Sequence, residues 1–265
     1  MIAAKPINIA ILAMGGEGGG VLADWLVRVG ERDGYLAQTT SVPGVSQRTG
    51  ATIYYLELFP RSALRDRGPM PVLGLMPMPG DVDLVIASEL MEAGRAIQRG
   101  LVTPDRTHLL ASTHRVYSMT ERTALGDGRV DAEAIVEGCR TAALKFTGFD
   151  MARLAEANKS MISAALLGAI AGSQALPFAR EAYEAAIRSD GVGVNASLAA
   201  FSAGYAAAEG RADDGATSSE RRDRTPGRPG PALPGIRSDE ARALVMAGPQ
   251  PIGEGRGCVG ARSGR

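Results

Sequence analysis

Apolar positions fall in short blocks separated by glycine-rich or polar breaks, and the blocks alternate in period. Residues 7–13 read I-N-I-A-I-L-A, a run of strand length. A glycine cluster, Gly15-Gly16-Glu17-Gly18-Gly19-Gly20, follows. Then Val21, Leu22, Trp25, Leu26 and Val29 recur at helical spacing up to Arg32. This is strand, turn, helix. Residues 35–40 give a second strand, 41–50 a loop carrying Pro43, Gly44 and Gly50, and 51–58, with Ile53, Tyr54, Tyr55 and Leu56, a third strand. Residues 60–80 are dense in Pro, Gly and Met and predict an irregular excursion.

The alternation then resumes. Residues 83–88 form a strand of the buried type, 89–98 a helix ended by Gly100, and 107–112 a further strand. Helices are predicted over 131–145, with Ile135, Val136 and Cys139 on one face, and over 158–172, opened by Asn158 as N-cap. Two more follow over 178–189 and 195–209. Alternating strands and helices define an α/β class, a Rossmann-like and mainly parallel sheet with helices on both faces. The domain so defined spans residues 1–209. Residues 210–265 are rich in Arg, Pro, Gly, Asp and Ser and hold no aromatic residue, so a disordered tail is expected there.

Composition narrows the chemistry. Lys plus Arg and Asp plus Glu are 29 each, which gives no overall case for a nucleic-acid or membrane partner. No apolar run nears the roughly 20 residues of a membrane span, and the N-terminus lacks a signal-peptide layout. A cytoplasmic location is expected. The two cysteines, Cys139 and Cys258, fall short of the about four thiolates of an iron–sulfur cluster. The two histidines, His108 and His114, do not complete a zinc set, so neither metal nor cluster is expected on this chain alone. Cys139 reads as a small core residue.

Three segments could carry chemistry. The turn with Gly15, Gly16 and Gly18 has the context of a dinucleotide site, a strand before it and a helix after. Glu17 places a carboxylate where a phosphate would sit, the spacing misses G-x-G-x-x-G, and no acidic residue ends the second strand. A tight turn with close helix–sheet packing is the better reading; a stand-alone nucleotide-binding protein without redox activity remains the alternative. Gly126-Asp127-Gly128, with Asn158 downstream, is similar to a thiamine diphosphate motif but follows no apolar strand. The third segment is S-V-P-G-V-S-Q-R-T-G, residues 41–50. It is a polar loop at the carboxyl end of a strand, where open α/β sheets place their sites, and Arg48 offers a fork for a carboxylate or phosphate. His108 and His114 are read as hydrogen-bonded rather than catalytic, and no nucleophile–base pair emerges from spacing.

In order along the chain, G-G-E-G-G-G-V-L-A-D-W-L, S-V-P-G-V-S-Q-R-T-G-A-T-I-Y-Y-L-E, G-D-V-D-L-V-I-A-S-E-L-M-E-A-G-R-A-I, N-K-S-M-I-S-A-A-L-L-G-A and G-V-N-A-S-L-A-A-F resemble the gamma-type domain of 2-oxoacid:ferredoxin oxidoreductases. The resemblance covers about residues 5–209. The Val-Pro-Gly and Gln-Arg-Thr-Gly version looks like the beta subunit of the indolepyruvate type. It implies a subunit that works beside a larger partner in the oxidative decarboxylation of an aryl pyruvate to an acyl-CoA, with ferredoxin as acceptor. Thiamine diphosphate, Mg and iron–sulfur clusters are then expected on the large subunit, with coenzyme A as co-substrate. Gly15, Gly16, Gly18, Gly44, Gln47, Arg48, Thr49, Gly50 and Asn158 are the residues expected to face that substrate and coenzyme A region. Glu17 departs from the Gln common in the family, and the tail matches nothing in it.

Overall fold

In a computed structural model of the chain, residues 5–43, 51–64, 70–116 and 131–212 are described. The described residues all belong to one compact unit. The expected tail therefore lies outside the described residues, apart from its first three positions, which continue the last helix.

Strand β1 (Ile7–Met14) leads through the glycine turn into helix α1 (Gly19–Arg32). Strands β2 (Tyr35–Pro43) and β3 (Ala51–Pro60) follow, then β4 (Leu84–Ala87), α2 (Leu90–Gln98), β5 (His108–Ser112), α3 (Ala132–Ala142) and β6 (Lys145–Phe149). Helices α4 (Met151–Ala157), α5 (Ile162–Gly172), α6 (Arg180–Asp190) and α7 (Val194–Ala212) complete the described chain. The six strands lie in the order β2-β3-β1-β4-β5-β6. β1, β4, β5 and β6 pair in parallel, and β3 is antiparallel to both its neighbours, β1 and β2.

The alternation of β1 divides the core. Ile9, Ile11 and Ala13 face α1 and α4–α7, while Ala10 and Leu12 face α2 and α3. Helices thus cover both faces, as the buried, near-continuous apolar strands require. Helix α5 is buried at every position, which accounts for its apolar character all round. Cys139 is fully buried on α3, and burial pushes its thiol up to about 12.

The structure corrects three readings. β2 continues to Pro43, so the loop after it is shorter than residues 41–50. The helix expected over 131–145 ends at Ala142, and β6 follows; five residues beside a helix were too short for a period to register. The helix expected over 158–172 begins only at Ile162, after a separate helix that ends at Ala157. Asn158 does not cap the second: it closes α4, its Nδ2 donating to the Leu154 carbonyl at 2.8 Å, and Met161 stands at the N-cap of α5 without a side-chain bond.

Candidate functional site

The carboxyl ends of β1, β4, β5 and β6 share one edge of the sheet, where open α/β folds gather functional groups. β3 begins at that edge and β2 ends there, since Met14 pairs with Ala51 and Pro43 with Thr52. The connection carrying Gly44, Gln47, Arg48, Thr49 and Gly50 therefore leaves the sheet from this edge, although those five residues lie outside the described ones.

The glycine turn is shaped by sterics. Gly16 and Gly18 hold φ of 88° and 71°, a region costly for residues with a Cβ. A Cβ on Gly19 would lie 2.5 Å from that of Ala13 and 2.7 Å from the Tyr54 ring. This matches the reading of the cluster as a tight turn with close packing. Glu17, between the glycines, does not project outward. Its carboxylate takes the Ser88 hydroxyl hydrogen bond at the end of β4, and the Met14 N–H at 3.3 Å. On its other oxygen it meets His114 Nε2 at 3.3 Å, while His114 Nδ1 lies 2.8 Å from Ser112 Oγ. The Met151 N–H in turn donates to Ser112 Oγ at 3.0 Å. A neutral His114 ring can accept the Ser112 hydroxyl at Nδ1 and donate Nε2–H to Glu17; a protonated ring donates from both nitrogens, Nδ1 to Ser112 Oγ and Nε2 to Glu17.

One chain of bonds thus ties the ends of β1, β4 and β5 to the start of α4. Burial would raise the Glu17 carboxyl, but the His114 and Ser88 bonds, the charge on His114 and the Met14 N–H outweigh it and hold the group below its ordinary value. The carboxylate is engaged by its own fold, so it stands as a brace and not as a free charge aimed at a ligand. Ser88 and Ser112 are fully buried, which removes both as nucleophiles. His108, at the other end of β5, bonds Thr147 Oγ1 at 3.0 Å; burial, with Lys145 nearby, brings it down to about 4.

Beside the brace lies a cleft of about 440 Å³, with Gly16, Glu17 and His114 on one wall and Lys159, Ser160 and Met161 on the other. Lys159 is exposed and sits in the left-handed region at φ 53°, a strained backbone in a loop at the candidate site. The Ser163 hydroxyl, on the first turn of α5, is buried without a hydrogen-bond partner; a Cβ on Gly18 would come within 2.9 Å of it. Of the turn glycines, Gly16 lines this cleft, and Gly18 packs against Ser163 and Met161. Asn158 is close in sequence to its wall, but its amide is turned back onto α4. Ser88, Ser112, His114, Lys159 and Ser163 were not singled out from sequence as site residues. The available signal was the place of Ser88 and Ser112 directly after apolar parallel-strand runs.

Among the described residues, no three His, Cys, Asp or Glu side chains converge as metal ligands. Of the thiamine-like motif, Gly126, Asp127 and Gly128 lie outside the described residues, and the Asn158 amide is turned back onto the Leu154 carbonyl; Cys139 is buried. A dinucleotide fits poorly. β3 separates β2 from β1, and the β2 side chains nearest a ribose role are spent, Gln38 on the Gly74 carbonyl at 3.0 Å and Thr40 on that of Leu75 at 2.7 Å. No described helix is long and apolar enough to cross a membrane.

Fold and edge define an open α/β domain with a braced glycine turn. The pyruvate ferredoxin/flavodoxin oxidoreductase family model matches residues 8–207, and the chain belongs to that family. Among solved structures, it is similar to the pyruvate oxidoreductase subunit PORC of Thermotoga maritima, at 18% identity and a TM-score of 0.51, over 76% of this chain and 96% of that one. It is also similar to the 2-oxoglutarate:ferredoxin oxidoreductase of Magnetococcus marinus, whose structure holds 2-oxoglutarate, coenzyme A and succinyl-CoA, at 16% identity and a TM-score of 0.53. That match covers 78% of this chain but 31% of the other. No curated protein matches the chain in sequence.

Proposed function

We propose that this chain is the cluster-free, gamma-type subunit of a 2-oxoacid:ferredoxin oxidoreductase that acts on indolepyruvate or a related aryl pyruvate. The reaction joins the 2-oxoacid and coenzyme A, releases CO₂ and passes two electrons to ferredoxin, leaving the aryl-acetyl-CoA. The observation that carries the reading is the family match over residues 8–207, nearly the whole described chain. The aryl-pyruvate preference rests on the resemblance of residues 41–50 to the indolepyruvate type. Thiamine diphosphate, Mg and the clusters belong on a large partner subunit, as the resemblance to the family implies.

This chain's own contribution is a wall. Its cleft at the sheet edge, with the exposed Lys159 and the Gly16–Gly18 turn, faces the region where the acyl-CoA is made, and the Arg48 loop springs from the same edge. The Glu17–His114–Ser112 brace holds that wall in shape. The test is co-purification of the chain with the large subunit, followed by ferredoxin reduction dependent on both an aryl pyruvate and coenzyme A. Reduction with pyruvate or 2-oxoglutarate but not with aryl pyruvates would retain the family and discard the substrate. Failure of the two chains to form an active enzyme with any 2-oxoacid would discard the subunit reading.

A further inference from the structure

We infer that the adjoining starts of helices α1 and α5 form a binding site for a phosphate group, entered from the cleft past Met161. The inference deepens the reading above, in which this edge faces coenzyme A, and rests on that reading only for the source of the phosphate.

Two helix starts meet here. Gly18, the N-cap of α1, stands against Ser163 in the first turn of α5: a Cβ on Gly18 would lie 2.9 Å from the Ser163 hydroxyl. The first N–H groups of a helix have no partner within it, and the aligned peptide dipoles give its start about half a positive charge. Two such ends repel each other unless an anion or a capping side chain answers them. Their own sequence supplies neither. Both α1 and α5 begin without a side-chain cap bond, and neither has an acidic residue in its first turn. Glu17, next to Gly18, gives its carboxylate to Ser88, His114 and the Met14 N–H instead. The objection that this carboxylate occupies the place of a phosphate is thereby removed.

The independent observation is Ser163 itself. It is 1% exposed, and its hydroxyl has no hydrogen-bond partner among the described residues, although it lies where the two helix starts join. A buried polar group left unpaired is costly. Its presence beside two sets of unpaired N–H groups points to a ligand that accepts from all of them. A phosphate group does so, and it carries the charge that the helix ends lack. The Met161 methyl would stand 3.1 Å from the same Cβ on Gly18, and Met161 is 48% exposed on the cleft wall. Its unbranched side chain moves readily, so turning it aside opens the join to the cleft. Lys159 and Glu156, both exposed on that wall, offset each other, which leaves the helix ends to set the sign of the site.

The test uses the full chain, with inorganic phosphate as the probe and binding read from phosphorus NMR line widths at constant ionic strength. Wild type should bind phosphate saturably. Ser163→Ala removes an unpaired hydroxyl, so it should be at least as stable as wild type without phosphate and bind phosphate about tenfold more weakly, the scale of one hydrogen bond to a charged group. Met161→Ala should bind more tightly than wild type. Gly20→Glu puts a carboxylate in the first turn of α1, at a position where a Cβ comes no nearer than 3.6 Å to the Tyr54 ring. It should abolish phosphate binding while raising the thermal stability of the free chain, a pair of signs that general damage does not produce. Coenzyme A that displaces phosphate from wild type, with the same pattern across the variants, identifies the coenzyme as the source. Coenzyme A that leaves phosphate bound makes free phosphate the ligand and retains the site. The absence of saturable binding to wild type overturns the inference, and so does a Ser163→Ala chain with wild-type affinity. An assembled enzyme that rejects aryl pyruvates discards the substrate reading and leaves this result standing.

Discussion

Glu17 is a carboxylate placed among glycines at the start of a helix, a position where sequence alone suggested repulsion of a phosphate. In the structure its oxygens point inward to Ser88 and His114. Its ionised form is therefore favoured by the fold, and the consequence for stability has a definite sign. A carboxyl held below its ordinary value stabilises the fold fully above the unfolded value of about 4.5 and loses that contribution as pH falls through the lowered folded value. Glu17→Gln keeps an acceptor but removes the charge, and charge-assisted bonds outweigh neutral ones. The variant should be less stable than wild type by about 1 kcal/mol at pH 7, with the gap closing toward pH 3. Paired denaturant titrations at pH 7 and pH 3.5 measure it. The neutral buried His108 lowers acid stability in both proteins equally, so the difference isolates Glu17. A gap that does not change with pH would show that the carboxylate contributes only as an acceptor.

Helices α5 and α7 meet backbone to backbone. A Cβ on Gly168 would fall 2.0 Å from the Phe201 carbonyl oxygen, one on Gly172 2.3 Å from that of Tyr205, and one on Gly204 2.3 Å from that of Ala165. The small residues of 162–172 serve this approach, and backbone cannot yield as a side-chain tip can. Gly168→Ala should cost at least about 2 kcal/mol by overpacking. Gly210→Ala, on the same α7 where a Cβ meets nothing, should gain roughly 0.5–1 kcal/mol from helix propensity. Thermal unfolding of the two variants compares them; shifts of the same sign would contradict the close packing. Elements with a strong period were legible in the sequence for this same reason of packing: β1, α1, β4 and α2 bury whole faces and so must repeat. β6 and α4 were not, because five and seven residues are too few for a period to show. The pairing of β3 with both β1 and β2 is tertiary information, which no local pattern encodes.

At the scale of the molecule, the site is an edge of the sheet, and what sequence made legible of it was the part written in consecutive residues. The glycine turn and the loop of residues 41–50 could be read as chemistry-bearing; the brace of Ser88, Ser112, His114 and Glu17 could not, since three separate segments supply it. The β2–β3 register now gives the loop an origin. Its ends, Pro43 and Ala51, stand at the same edge as Met14 and the glycine turn. Arg48 is therefore on a connection anchored beside the cleft, where loops carry function while the scaffold carries stability. If its guanidinium grips a carboxylate or phosphate of substrate, coenzyme A or the partner, the grip is bidentate and lysine cannot copy it. If it makes only an exposed ion pair, the loss is about 0–1 kcal/mol of stability and nothing in activity. We expect Arg48→Lys to leave the melting temperature of the chain nearly unchanged and to lower the activity of the assembled enzyme, or its affinity for coenzyme A or the large subunit, by about tenfold or more, the scale of one charge-assisted hydrogen bond. Melting the isolated variant and assaying its complex with the large subunit separates the two cases, and wild-type values in every assay would return Arg48 to the role of a surface charge.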